Sequence, residues 1–255
     1  EHERECTIHK CSTEKCGFVG RDAEHYNKHK EICTQQFKCE ICGEEFANAT
    51  KERITEADIT KEKSLIKISR QLRKKNLHID VIINNAANNP PVKKSKKAEL
   101  LNVSNWQRDL DVGLLGAYIV TKTFVNNVRP NNGGSIINIG SDLSILSPNH
   151  EMYKNRKKNF LKPISYSVIK HGLVGLNKYF ATLYAKKKII TNMISPGPID
   201  NNLPNYLRKK LISNTPMKKL CTVEEVFKLI LFLCDTKNRH ITGQNIVIDG
   251  GKSLI

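Results

Sequence analysis

Ser135-Ile136-Ile137-Asn138-Ile139 runs into Gly140-Ser141 and follows Gly133-Gly134. A short, mostly β-branched run between glycines reads as a strand buried on both faces of a parallel sheet. Three other runs share the form. Ile79-Asp80-Val81-Ile82-Ile83 ends at Asn84, Ile189-Ile190-Thr191-Asn192-Met193-Ile194 is stopped by Pro196-Gly197, and Asn245-Ile246-Val247-Ile248 is stopped by Gly250-Gly251. Apolar residues at helical spacing fill residues 110–128 and 166–184 between them. Thr222-Val223-Glu224-Glu225 predicts a capping box, opening a helix that buries Val226, Leu229, Ile230 and Leu233. Strands alternating with helices predict right-handed crossovers and a doubly wound, Rossmann-like α/β sheet.

The chemistry gathers where these strands end. Tyr166 and Lys170 stand at i and i+4, so one helix face presents a phenol and an ammonium together. A neighbouring cation favours the phenolate, which would suit Tyr166 to acid–base work. Ser141, Asn84-Asn85-Ala86-Ala87 and Pro196-Gly197-Pro198 each follow a strand. That places all of them at the carboxyl edge of the sheet, where doubly wound folds bind ligands.

This order of motifs resembles the short-chain dehydrogenase/reductase family. The match runs from about residue 53 to Ile255 and includes the closing Thr242-Gly243-Gln244 and Asp249-Gly250-Gly251. The resemblance implies an NAD- or NADP-dependent oxidoreductase acting on a carbonyl or alcohol of a small molecule. It implies that Tyr166 exchanges a proton with the substrate oxygen, Lys170 lowers its pKa and holds the nicotinamide ribose, and Ser141 orients the oxygen. Asp58 would touch the adenine or only cap a helix. Asn84 and Ala86 would support the adenine-side ribose region, or Asn84 would mainly pin strands. Pro196 and Gly197 form the turn before Ile199, which would meet the nicotinamide carboxamide. Such enzymes commonly form dimers or tetramers on the Tyr–Lys helix, with Leu173, Leu176 and Phe180 either supplying apolar surface or packing in the core.

Two departures stand out. Residues 142–165 form a longer loop than the family usually places between its serine and tyrosine, and Gly113 stands where an asparagine is common. The segments around Ser141 and Tyr166 are similar to a bacterial branch linked to flagellin modification and surface-sugar biosynthesis, which implies a sugar-derived substrate.

Before Asp58 no G-x-G-x-x-G or comparable turn occurs. Backbone N–H groups in that turn would reach the cofactor pyrophosphate. The sheet is therefore expected to be incomplete, without its first two strands, and activity is in doubt. Six of the eight cysteines lie between Cys6 and Cys42 instead. Cys11, Cys16, His29 and Cys33 have the spacing of a tetrahedral zinc set, although Cys6 or His25 could substitute in it. The run from Phe37 to Phe46 resembles the opening hairpin of a further TRAF-type or C2HC-like zinc finger. The expected organisation is a Cys/His-rich segment over residues 1–46 and a dehydrogenase body over residues 47–255. A second function class follows: a zinc-binding interaction protein carrying an inactive dehydrogenase body.

The formal charge of +17 arises from 42 Lys and Arg against 25 Asp and Glu. Those bases are spread along the chain, which favours a lysine-rich solvated surface over a nucleic-acid site. No apolar run is long enough to cross a membrane and no signal-peptide core opens the sequence, so a cytoplasmic setting is expected.

Overall fold

The computed structural model describes residues 57–88, 102–129, 132–153, 162–200, 203–235 and 238–255, with the backbone of Gln36–Lys38 and Glu45–Ala47. The chain divides into two compact units, Glu1–Ala57 and Asp58–Ile255. In the first, β1 (Gln36–Lys38) pairs antiparallel with β2 (Glu45–Ala47), Phe37 opposite Phe46, so the hairpin expected there is present as backbone.

In the second unit, β3 (Val81–Asn84), β4 (Gly134–Ile139), β5 (Ile189–Pro196) and β6 (Asn245–Ile248) lie side by side in that order, all parallel. The helices are α1 (Glu62–Lys74), α2 (Val103–Leu110), α3 (Gly116–Phe124), α4 (His150–Tyr153), α5 (Ile164–Tyr184), α6 (Asn205–Ser213) and α7 (Val223–Cys234). A π-helical turn, Asp111–Leu115, joins α2 to α3, and Gly113 within it is buried. A Cβ on Gly113 would come within 2.8 Å of Ile169 on α5.

Alternate residues of each strand serve opposite faces. Ile82, Ile136 and Ile189 pack with Val125, Phe180 and Tyr184, beneath α3 and α5. Ile137 and Ile194 pack with Val226 and Leu233 of α7 on the other side. The predicted capping box of α7 is complete: Thr222 accepts from the Glu225 amide and Glu225 accepts from the Thr222 amide. Burial on both faces holds throughout β5 and nearly all of β4, whereas β3 and β6 are only partly covered. Asn84 is buried and donates to Thr121 at 3.0 Å and to Asn138 at 2.8 Å; Asn138 in turn donates to Asn177 at 3.1 Å. These amides tie β3 to β4 and β4 to α5, the strand-pinning role open to Asn84.

Of the two readings open for Leu173 and Phe180, core packing holds. Leu173 and Phe180 are 3% and 1% exposed and belong to the core, so they offer no surface for self-association. The helix α5 is apolar on more than one side, and its inner face claims these two residues. Its outward apolar residues are Ile164, Val168, Tyr179 and Leu183.

Candidate active site

β4 ends at Ile139, and Ser141 follows on extended backbone. The next strand, β5, ends in Pro196, and the Gly197 amide donates to the Ile248 carbonyl of β6 at 2.9 Å. Gly197 sits so close to Asp249 that a Cβ would lie 2.8 Å from its Cα, which explains glycine in this turn. Ser141 and the Pro196-Gly197 turn therefore share the carboxyl edge of the sheet, and Asn84 ends β3 at the same edge. Ile199 pairs with Cys221 beyond the turn, and Ala86 is exposed in the loop after β3.

The first turns of α5 bring Tyr166 and Lys170 to Ser141. The Tyr166 phenol lies beside the Ser141 hydroxyl, which favours its charged form. The Lys170 ammonium lies 5.6 Å from the Tyr166 ring centre and donates to the Ile139 carbonyl at 2.7 Å. Ahead of Tyr166, Ser165 donates to the buried Asp109 carboxylate at 2.6 Å, and Asn88 donates to the other oxygen of Asp109 at 2.7 Å. The start of α5 is thus tied to α2 and to the loop after β3.

Three further charged residues surround this group. Asp142 is buried, accepts from the Ser141 hydroxyl at 2.8 Å and the Leu143 amide at 2.9 Å, and pairs with Lys252. Lys252 reaches it because Gly251 takes a left-handed backbone (φ +84°) just past Asp249, whose carboxylate caps the Gly251 and Ser253 amides. The Lys162 ammonium sits 3.8 Å from the centre of the Tyr166 ring. None of these three was singled out in the sequence. Asp142 had the one available signal, adjacency to Ser141; Lys252 is far away in the chain, and Lys162 is one lysine among many.

Burial pushes the Tyr166 phenol above its ordinary value; the Ser141 hydroxyl opposes that and the Asp142 charge adds to it. The direction is opposite to the lowering expected from a lysine at i+4, because desolvation is the largest contribution. Burial, then repulsion from Lys162, brings Lys170 down to about 8. Lys162 is lowered by burial, against the pull of Asp142. Tyr153 on α4 is pushed up to about 12 by burial, with Asp142 and Tyr166 contributing.

Such a phenol–lysine–serine group at a parallel sheet edge can hold a carbonyl oxygen and give it a proton. A family model described as Enoyl-(Acyl carrier protein) reductase matches residues 35–253. The 3-oxoacyl-[acyl-carrier-protein] reductase of Buchnera aphidicola subsp. Schizaphis graminum is 30% identical over 198 residues, 76% of this chain and 75% of that protein. The chain belongs to the short-chain dehydrogenase/reductase family. The corresponding reductase of Buchnera aphidicola subsp. Baizongia pistaciae is 32% identical over 198 residues, covering 76% of this chain and 74% of that one. A short-chain dehydrogenase from Leptospira borgpetersenii, with bound NAD+, superposes with a TM-score of 0.70 at 23% identity over 82% of this chain and 80% of its own. A gluconate 5-dehydrogenase from Burkholderia cenocepacia, in complex with NADP and tartrate, gives 0.65 at 20% identity over 78% and 74%. The Rossmann-like fold of the family is thus present.

Of the other site residues expected from sequence, Asp58 is exposed and accepts from the Thr60 amide at 2.9 Å and hydroxyl at 2.7 Å, bonds that hold its carboxyl below the usual range. That is a turn-forming role ahead of α1. Cys11, Cys16, His29 and Cys33 lie outside the described residues. Among the described residues no cluster of three or more His, Cys, Asp or Glu could hold a metal, and no helix is long and apolar enough to cross a membrane.

Proposed function

We propose that this chain is an NAD(P)-dependent oxidoreductase that interconverts a carbonyl and an alcohol on a small, sugar-derived substrate. The convergence of Ser141, Tyr166 and Lys170 carries the reading. The donor set suits the nicotinamide end of a dinucleotide: an ammonium has three N–H donors, and Lys170 spends one on Ile139, leaving two for a ribose diol. Pro196, Gly197 and Ile199 would flank the nicotinamide; Asn84, Ala86 and Asp58 would line the adenosine side. The bound cofactor supplies the hydride. Tyr166 supplies the proton to the substrate oxygen, and Ser141 holds that oxygen in place. Because its phenol sits above its ordinary value, Tyr166 keeps its proton through neutral pH, which suits the carbonyl-reducing direction. The sugar-derived substrate rests on the resemblance of the Ser141 and Tyr166 segments to the surface-sugar and flagellin-modification branch, and on the length of the stretch between Ser141 and Tyr166.

Residues 1–57 contain no G-x-G-x-x-G sequence, the pattern of a glycine-rich phosphate turn. The two or three N–H bonds to the pyrophosphate that such a turn gives are worth about 1.5–3 kcal/mol each. At tenfold per ~1.4 kcal/mol, a micromolar site becomes roughly millimolar or weaker. Fluorescence titration of the 255-residue chain with NADH and NADPH is expected to show that weak binding, and micromolar affinity would refute it. Turnover is then assayed at millimolar cofactor against a panel of aldoses and ketoses. Bound cofactor without carbonyl-dependent oxidation would overturn the oxidoreductase reading.

The Cys/His spacing of residues 1–46 and the β1–β2 hairpin favour a second reading, a zinc-binding interaction module joined to an inactive body over residues 47–255. In either case self-association is proposed on the outer face of α3 and α5, where Leu115, Tyr118, Val168, Tyr179 and Leu183 are exposed. Sedimentation and metal analysis of one preparation test both ideas. A clean monomer removes the first, and absence of bound zinc removes the second.

A further inference from the structure

The charges around Tyr166 do not balance. Lys162 and Lys170 both address its ring, at 3.8 and 5.6 Å from the ring centre. The adjacent carboxylate, Asp142, is already engaged: Lys252 holds one oxygen, while the Ser141 hydroxyl and the Leu143 amide hold the other. Lys170 is anchored on the Ile139 carbonyl. Among the described residues Lys162 has no carboxylate within ion-pair distance and no hydrogen-bond acceptor; its contact is the face of the phenol. A cation over an aromatic ring gains about 0.5–2 kcal/mol, less than a desolvated ammonium loses. Burial depresses both lysines and Lys162 lowers Lys170 further, while the pull of Asp142, a carboxylate already paired with Lys252, only partly offsets the cost at Lys162.

We propose that Lys162 is the substrate's anion subsite: the molecule whose oxygen meets Tyr166 carries a carboxylate that docks on Lys162. This rests on the oxidoreductase reading and sharpens its substrate to an acidic one, such as a keto or hydroxy acid of the sugar series. The phenol oxygen belongs to the very ring that Lys162 covers. The carboxylate and the reacting carbonyl must therefore sit on neighbouring or next-neighbouring carbons. A carboxylate suits the place better than a phosphate, because the buried Asp142 charge close by repels a dianion more strongly than a monoanion. Tyr153 on α4, half-buried and kept neutral by burial with Asp142 and Tyr166 contributing, is a further phenol that can donate to the acid.

The test uses the full chain as wild type, Lys162→Gln and Lys162→Arg. Each is assayed at millimolar cofactor with pyruvate and acetoacetate, and with their methyl esters, which keep the carbonyl and lose the charge. The wild type should prefer the acids. Lys162→Gln should lower kcat/KM for the acids by about 10- to 100-fold, the range of a charge-assisted bond, lower it far less for the esters, and be largely rescued by Lys162→Arg. Equal use of acids and esters by the wild type, or an equal loss on both in Lys162→Gln, overturns the proposal. If neither kind turns over, the aldose and ketose panel judges the oxidoreductase reading, and calorimetric titration with acetoacetate decides the subsite. Saturable heat in the wild type that disappears in Lys162→Gln upholds it, and heat absent from the wild type, or equal in both, ends it.

Discussion

Tyr166→Phe should lower kcat for carbonyl reduction by about 10²–10⁴-fold while leaving cofactor affinity unchanged. The substitution removes one oxygen atom from a ring whose packing, beneath Lys162 and beside Lys170, is retained. What disappears is the proton donor and its interaction with Ser141. The pH profile gives a second reading of the same site. Lys170 titrates at about 8 against an ordinary 10.5. Below about 8 it carries the charge that favours phenolate formation as Tyr166 gives up its proton; above it that help is lost. Reduction should therefore fall as pH rises through about 8, and in Lys170→Arg, whose guanidinium stays charged, that limb should vanish. Stability moves the other way. The folded lysine sheds its proton more readily than the unfolded one, so between about 8 and 10.5 the unfolded chain binds more protons and stability rises with pH. Stopped-flow or steady-state rates over pH 6–10 check the first effect (the range is approximate). Wild-type turnover in Tyr166→Phe would end the assignment of Tyr166 as the proton donor.

The parts of this molecule that could be read in the sequence are those with a short-range signature. Apolar runs bounded by Gly and Pro located β4, β5 and β6 to within two residues, because a strand buried in a parallel sheet has little freedom of composition. Tyr166 and Lys170 were legible because a helix converts a spacing of four into one face, and Ser141 because it ends a strand. Long-range and environmental terms were not legible. Lys252 and Asp142 are separated by 110 residues, and only the folded DGG turn aims one at the other. The direction of the Tyr166 shift depends on how much water is excluded, which a neighbouring lysine in the sequence does not reveal. Helical periodicity marked residues 110–128 but missed the earlier start at Val103, where α2 opens with polar Ser104 and Asn105 behind an Asn102 cap. The π-turn at Asp111–Leu115 breaks the 3.6-residue period that such a reading assumes. On α5, two apolar faces compete, and packing rather than pattern decided that Leu173 and Phe180 point inward.

Lys252→Met should destabilise the fold by about 3–5 kcal/mol, a loss in the range measured when one partner of a buried ion pair is removed. The side chains of Lys252 and Asp142 are only 12% and 7% exposed, so water cannot replace the missing ammonium. The carboxylate would keep the Ser141 hydroxyl and Leu143 amide as donors, which places the loss toward the lower end. For a domain of this size, roughly 3 kcal/mol corresponds to a fall in Tm of about 6–12 °C. Catalysis should suffer as well. An uncompensated Asp142 charge would raise the Tyr166 phenol further, since that charge already pushes it upward. It would also leave the serine on a less firmly held acceptor. Asp142→Asn in the Lys252→Met background removes the stranded charge yet keeps an oxygen for Ser141. The double variant should therefore recover much of the stability lost by Lys252→Met, giving a favourable coupling in a double-mutant cycle. Urea unfolding of the four proteins measures it. A loss below about 1 kcal/mol in Lys252→Met, the range of an exposed ion pair, would mean that the C-terminal turn is not what fixes Asp142 against Ser141.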